Sequence, residues 1–419
     1  MKYSVWDGIV YGTGEPIVPF SKIFESEKLL EVVDFVDKNG KNKTLFVSDE
    51  NKVLFDNIKK IYESPNSVDI YERNILSNKK TLITKKMDNN KFEGKKAFLT
   101  GINGQDGSYL AEYLLELGYE VHGIIRRNST VESQQSRFTD NVRHKLNIHY
   151  GDLLDQGGLE KLLDDIQPDE IYNLAAQSHV RISFDIPQFT VQTNAIGVLN
   201  ILEAYRRSCP TARFYQASSS EMFGNSVDAD GFQRETTQMT PVSPYGCSKV
   251  FGYNIVRNYR NAYKLHTCNG ILFNHESPRR GSNFVTNKVV KTAVEIKLGL
   301  ADKLVLGNMD SYRDWGHSKD YVKAMHMIIN HDTPDDFVVS TMTTHSVREM
   351  VEYVFKKLDL DYTKYVSQDS KFLRAEELKY LKGDSTKIRE TLGWKPEYTF
   401  ETLLDDMIDG WMERLNPTK

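Results

Sequence analysis

The spacing of hydrophobic residues changes along this chain, and the changes mark out its elements. Between residues 95 and 174, short apolar runs alternate with stretches of helical period. Ala97–Thr100, Glu120–Ile125, Ile148–Tyr150 and Glu170–Leu174 read as strands, and Ser108–Leu117 and Gly158–Ile166 as helices. Strands separated by helices at this spacing imply βαβ units, hence a parallel sheet covered on both faces. Upstream, Glu25–Val36 and Glu50–Tyr62 have helical spacing, the second placing Val53, Leu54, Ile58 and Ile61 on one side. Thr44–Ser48 reads as a buried strand between them. The stretch from Leu76 to Lys96 is rich in Lys and Asn, lacks any period, and reads as a solvated linker. Residues 1–92 are therefore expected to be an appended small α/β module, and 93–270 the domain of the parallel sheet. Residues 271–419, where segments shorten and Arg, His and aromatics become frequent, are expected to form a smaller lobe.

Composition narrows the class. A chain of 419 residues can build two or three cores, and a net charge of -4 gives no support for a nucleic-acid surface. Cys209, Cys247 and Cys268 have neither paired nor metal-ligand spacing, which favours a reducing compartment and no metal. No apolar run approaches the roughly 18 residues a membrane helix needs. The expected location is cytoplasmic.

Chemistry enters with Gly101-Ile-Asn-Gly104-Gln105-Asp106-Gly107, directly after the first strand and at the start of a helix. Glycines at this spacing permit a tight turn and let a pyrophosphate approach the helix N-terminus. The second strand ends in Arg126-Arg127-Asn-Ser129, where an NAD site would carry an acid. Two cations and a hydroxyl suit a 2′-phosphate, so NADP is the expected cofactor; a solvated basic turn is the bland alternative. Asp152 and Leu153 follow the third strand, as an adenine contact and apolar wall or, for Asp152, equally as a helix cap. Leu174, Ala175 and Ala176 end the fourth strand with residues that would let a dinucleotide pass closely.

A second constellation lies downstream. Phe214–Glu221 reads as a strand running into a loop, and alternation would point Ser219 and Glu221 the same way. Ser243-Pro244 then caps and starts a helix carrying Tyr245 and Lys249 on one face. An ammonium there would lower the phenol's pKa and make it a base for a hydroxyl proton. That pair oxidises alcohols beside a nicotinamide. Glu221 adds a carboxylate able to remove a carbon-bound proton next to the new ketone, which is the opening of a dehydration.

From about Lys96 to Trp411 the chain resembles the GDP-mannose 4,6-dehydratase family of extended short-chain dehydrogenases/reductases. The likeness rests on Gly104-Gln-Asp-Gly-Ser-Tyr-Leu-Ala-Glu112, Tyr172-Asn-Leu-Ala-Ala-Gln-Ser-His-Val180 and Tyr215-Gln-Ala-Ser-Ser-Ser-Glu221. It continues through Asn269–Gly281, Arg313-Asp-Trp-Gly-His317 and Gly393-Trp-Lys-Pro396. It implies a doubly wound Rossmann-type sheet with a smaller C-terminal substrate lobe, plus the unmatched N-terminal module. It also implies tightly bound NADP, and a homodimer or homotetramer in which Asn128–Asn141 reaches a neighbour. By the same resemblance, Tyr245 removes the O4 proton with Lys249 assisting, and Lys249 bonds the nicotinamide ribose. Ser219, where the family often has Thr, relays that proton, and Glu221 takes the C5 proton. Ser178, His275 and Arg280 join the cofactor set. Ser178, Ser220, Asn274, Lys288 and Arg313 surround the nucleotide sugar, and Glu377 meets guanine. Arg279 and Arg280 either share the diphosphate or serve subunit contacts; His179 and His317 read as structural.

Val242 stands where the family has Arg, Lys379 where an acid is common, and Cys247-Ser248 where apolar small residues occur. The expected reaction is dehydration of GDP-mannose in GDP-deoxysugar synthesis of the fucose or rhamnose type. Dehydration of a related GDP-sugar such as GDP-manno-heptose is the alternative. A non-catalytic NADP-bound regulator would predict a broken reaction centre, whereas all four groups are present.

Overall fold

The computed structural model describes residues 92–127, 137–138, 140–369, 378 and 380–416, together with the backbone of four upstream strands. The chain divides into two units, Met1–Lys91 and Phe92–Lys419. In the first, the strands form an antiparallel sheet in the order Lys2–Trp6, Ile9–Thr13, Asn42–Ser48, Leu29–Val36. The strand expected at Thr44–Ser48 is present. The helix expected over Glu25–Val36 is corrected: Leu29–Val36 is a strand, with Val33 opposite Leu45. Its sequence, LLEVVDFV, satisfies either period, and the β-branched Val32, Val33 and Val36 favour extended backbone. The helix expected at Glu50–Tyr62 lies outside the described residues, as does most of the linker.

The second unit is built on seven strands, all parallel: β1 (Lys96–Thr100), β2 (Glu120–Ile125), β3 (Asn147–Tyr150), β4 (Glu170–Asn173), β5 (Arg213–Ser219), β6 (Thr267–Leu272) and β7 (Asp336–Val339). Their order is β7-β6-β5-β4-β1-β2-β3. The central strands are buried on both faces and read as near-continuous apolar runs. Helices α1 (Gln105–Glu116), α2 (Gln156–Ile166), α3 (Gly197–Ser208), α4 (Pro244–Tyr263) and α6 (Ser318–Ile329) supply the covering layers; α5 (Val285–Lys297) lies between α4 and α6 in the chain. On one face Leu110 and Leu114 of α1 pack with Met325 and Ile328 of α6. On the other, Leu159 and Leu163 of α2 pack with Ile201 and Tyr205 of α3.

A separate core joins α5, α7 (Val347–Lys357) and α8 (Phe400–Leu415) through Val290, Val294, Val351, Phe355, Leu404 and Met407. Strand order reverses between β1 and β4, and a parallel sheet binds its ligand at such a switch point, beyond the carboxyl ends of the strands.

Candidate active site

Thr100, the last residue of β1, stitches the switch point together. Its hydroxyl donates to Asn173 Oδ1 at 2.6 Å and accepts the N–H groups of Leu174 and Ala175, each at 3.0 Å. Gly101 follows at φ +67°, and a Cβ there would lie 2.9 Å from Ala175 Cα. A side chain at Gly107 would come 2.2 Å from the Gly101 carbonyl oxygen. The turn is therefore closed to anything larger. Gly104 is the N-cap of α1 and offers no side-chain oxygen to the first-turn N–H groups. An uncapped N-terminus at a switch point, bordering an open cavity, fits a dinucleotide pyrophosphate.

Gln105 turns its side chain inward, donating to the His275 carbonyl oxygen at 3.1 Å and accepting from Ser277 Oγ at 2.8 Å. Arg126 and Arg127 are exposed just past β2, where a 2′-phosphate would lie. Ser129 lies outside the described residues. Of the two roles open to Asp152, the helix cap belongs to its neighbour: Asp155 caps α2, while Asp152 accepts the Leu154 N–H at 2.9 Å within a turn. Leu153 is buried, with its carbonyl held by Asn200.

A cavity of about 840 Å³ opens beside this turn. Ser219, Ser220, Glu221, Tyr245 and Lys249 all line it. From the cofactor side Asp106, Leu174, Ala176 and Ser178 reach it, and from the C-terminal lobe Asn274, His275, Arg280, Lys288 and Arg313. Glu377 and Lys379 lie outside the described residues.

Helix α4, which carries Tyr245 and Lys249, is positioned from its start. Ser243 caps it by accepting the Gly246 N–H at 3.0 Å, and the buried Ser183 hydroxyl accepts the Tyr245 N–H at 3.3 Å. One turn on, Lys249 donates to the Ala217 carbonyl oxygen at 2.9 Å, with its ammonium 5.7 Å from the Tyr245 ring centroid. Strand β5 ends at Ser219, and Ser220–Met222 form a 3-10 turn capped by the Ser219 hydroxyl, which accepts the Glu221 N–H at 3.3 Å. The alternation argument for Ser219 and Glu221 is corrected accordingly. The turn brings both to the cavity, whereas the extended chain was expected to do so.

Electrostatics corrects a second expectation. Burial pushes the Tyr245 phenol up to about 12, against a hydrogen bond with Ser219 that lowers it. Burial likewise pushes Lys249 down to about 8, with Asp106 pulling upward. With both groups out of water, desolvation outweighs the help the ammonium was expected to give the phenol. The sign fixes a stability effect. A lysine whose pKa falls on folding destabilises the fold fully below about pH 8, and the cost fades as pH rises toward 10.5. Lys249→Met should therefore raise stability at pH 7. The gain should be on the order of 1 kcal/mol once the lost bond to Ala217 is subtracted, and should shrink above pH 8. Denaturant melts at pH 7 and 9.5 measure it; a destabilised variant at pH 7 would contradict it.

Side chains of both charges line the cavity. His275 faces acceptors on both sides, Phe273 O at 2.7 Å and Asp106 Oδ2 at 2.9 Å, and stacks on Tyr321 at 4.4 Å. Burial opposes its charge, but Asp106 holds it above its ordinary value. Asp106 is itself held at about 2, burial raising it and His275 and Arg280 lowering it. Lys288 donates to the Val305 carbonyl oxygen and Arg313 to that of Tyr312.

Arg279 is not a cavity residue. Its guanidinium grips the Glu112 carboxylate at 2.7 and 2.9 Å and lies 4.0 Å from the Tyr109 ring centroid. His179 and His317 each cap a helix, and His317 also meets Asp406 at 2.9 Å; His179 lines the cavity as well. Thr100, Ser183 and Asn194 escaped the sequence reading. Asn194 bonds both backbone groups of Gln177 from a π-helical turn, Gln192–Ile196. Hydroxyls and amides acting through contacts distant in sequence carry no local signal.

Comparison with known proteins gives the same assignment. The family model described as GDP-mannose 4,6 dehydratase matches residues 98–407. GDP-mannose 4,6 dehydratase 1 of Arabidopsis thaliana is 48% identical over 76% of this chain and 90% of its own length. The Homo sapiens GDP-mannose 4,6 dehydratase is 44% identical over 77% and 93%. Among solved structures, a UDP-glucose 4-epimerase of Thermotoga maritima with UDP-glucose matches at TM-score 0.68 and 22% identity, covering 77% of this chain and all of its own. RMD from Pseudomonas aeruginosa complexed with NADPH matches at TM-score 0.64 and 24% identity, covering 77% and 99%. These two speak to the fold alone. Sequence identity, the matched model and the arrangement around Tyr245 and Glu221 agree that the chain belongs to the GDP-mannose 4,6-dehydratase family.

Proposed function

We propose that the protein converts GDP-mannose to GDP-4-dehydro-6-deoxymannose and water, with NADP as resident cofactor and Ser219, Glu221, Tyr245 and Lys249 as catalytic residues. One observation carries the assignment of roles: these four groups line a single cavity that also borders the uncapped start of α1. The turn Gly101–Gly107 would hold the pyrophosphate, and Arg126 and Arg127 the 2′-phosphate. When bound, NADP would supply the acceptor for the C4 hydride and the donor that gives it back at C6.

Tyr245 takes the O4 proton, through or alongside the Ser219 hydroxyl that bonds it. Lys249 holds that end of the site by its bond to Ala217 and presents its ammonium beside the phenol ring. Glu221 removes the C5 proton, acidified by the neighbouring C4 ketone, and passes it to the C6 hydroxyl as that group leaves as water. Once C6 has gained hydride, C5 takes a proton from solvent through Glu221, and Tyr245 releases the O4 proton to solvent. Lys288, Arg313 and Asn274 line the part of the cavity suited to the sugar nucleotide. A plain oxidoreductase or C4 epimerase has no use for Glu221.

Purified protein given GDP-mannose should form the keto-deoxy product without net release of reduced cofactor. Absence of product from GDP-mannose and from GDP-heptoses would overturn the reading. Arg127→Glu should weaken NADP roughly 10- to 100-fold while sparing NAD, if it bonds the 2′-phosphate. Parallel titrations with the two nucleotides check this, and an unchanged ratio would refute it. We also propose that the protein works in the cytoplasm, which cell fractionation tests, and as a homodimer or homotetramer, which light scattering after gel filtration tests.

A further inference from the structure

The mechanism above leaves one buried carboxylate of the cavity unused. Glu276 ends the short strand Asn274–Glu276, which pairs in parallel with Trp315–His317, and it is 2% exposed. Its Oε2 lies 2.9 Å from Arg280 Nε. Arg280 is fixed on its other sides as well. Its guanidinium lies 3.5 Å from the Phe284 ring centroid. Its carbonyl oxygen accepts from Asn287 Nδ2 at 2.6 Å, and Asn287 Oδ1 in turn accepts from Trp411 Nε1 of α8. Glu276 Oε2 thus sits against the Nε edge as a buried ion pair, without the alignment of a hydrogen bond, and neither atom has a hydrogen-bond partner among the described residues. Among the described residues no side chain hydrogen-bonds the terminal nitrogens of Arg280, and Arg280 lines the cavity within electrostatic reach of Asp106 and Tyr245.

An unanchored arginine has several rotatable bonds to immobilise on binding an anion, and a buried carboxylate against Nε together with the Phe284 ring restricts the guanidinium before the ligand arrives. We infer that Glu276 is a positioning residue. It orients Arg280 so that the terminal nitrogens face a phosphate-bearing ligand in this cavity, either the cofactor or the sugar nucleotide. The inference rests on the proposed function for what fills the cavity, but its test does not need turnover. Burial pushes the Glu276 carboxyl above the usual carboxylate range, against the pull of Arg280 and His275. Glu276→Gln, which keeps an acceptor oxygen, therefore separates geometry from charge.

The decisive measurement is a set of titrations on full-length protein with NADP and with GDP, for wild type, Glu276→Ala, Glu276→Gln, Arg280→Ala and the double alanine variant. Glu276→Ala and Arg280→Ala should each weaken the same ligand roughly ten-fold or more, the double variant should be no worse than Arg280→Ala alone, and Glu276→Gln should recover most of the loss. Weakened NADP places the fork on the cofactor; weakened GDP with normal NADP places it on the substrate diphosphate. Unchanged binding of both in Glu276→Ala, or penalties that multiply in the double variant, would overturn the inference. If the alanine variant does not fold, Glu276→Asp against Arg280→Lys decides it: withdrawing the carboxylate by one methylene should weaken the same ligand that Arg280→Lys weakens, and unchanged binding in Glu276→Asp would overturn the inference. Turnover of GDP-mannose by wild type is scored separately, so a wrong sugar would leave these titrations readable.

Discussion

Glu221→Gln is expected to stop dehydration while leaving oxidation at C4 intact. The residue is buried at the 3-10 turn Ser220–Met222 and lines the cavity with Tyr245. Glutamine preserves its size and can accept a hydrogen bond, but it cannot take a carbon-bound proton. Loss of a positioned general base costs roughly 10²–10⁴-fold in rate, so product formation should fall by that amount with little change in KM. Oxidation at C4 precedes the step that Glu221 serves, so bound cofactor should still become reduced on mixing with GDP-mannose, visible as its absorbance or fluorescence. Wild-type product formed in deuterated water should carry label at C5, whereas substrate recovered from the variant should not. A variant with full turnover would remove Glu221 from the mechanism.

Tyr245→Phe should be comparably severe and fail one step earlier. The ring is buried near the Lys249 ammonium, so phenylalanine keeps the packing and deletes only the hydroxyl. The phenol is held up at about 12 by burial, and removing it relieves a desolvated polar group, so stability should not fall. The rate should drop roughly 10²–10⁴-fold, with no reduced cofactor appearing on mixing. That absence distinguishes it from Glu221→Gln. Ser219→Ala added to Tyr245→Phe should cost almost nothing more, because both act on the same proton. A Tyr245→Phe protein that still reduces its cofactor would transfer the role of base elsewhere.

Much of the sheet was legible because its central strands are buried. A run such as Ala97–Thr100, bounded by a glycine turn, leaves few alternatives, and β2 falls where the spacing put it. The catalytic helix announced itself through Ser243-Pro244, a hydroxyl cap followed by a residue preset for helix. Glu25–Val36 failed because apolar residues in pairs fit two periods, and only partners decide between them. Glu221 was recognised by its type and place, but the turn that presents it was not, since Ser-Ser-Glu reads equally as extended chain.

What remained hidden is long-range. His275 meets Asp106 across 169 positions, Thr100 meets Ala175 across 75, and Arg279 finds Glu112 across 167. Basic residues near a binding motif look alike in sequence. Only the fold shows that Arg280 faces the cavity while Arg279 is spent on α1. The same blindness misjudged Tyr245 and Lys249, because spacing reveals that two groups are neighbours but not that both are dry.

Hydride that leaves C4 is expected to return to C6 of the same molecule, while C5 exchanges its proton with solvent through Glu221. GDP-mannose deuterated at C4 tests it most directly, with product examined by NMR and mass spectrometry. The product should be a keto-deoxy sugar nucleotide with deuterium at C6, one water lost, and no accumulation of reduced cofactor. Label lost to solvent, or reduced cofactor released in step with substrate consumed, would contradict it.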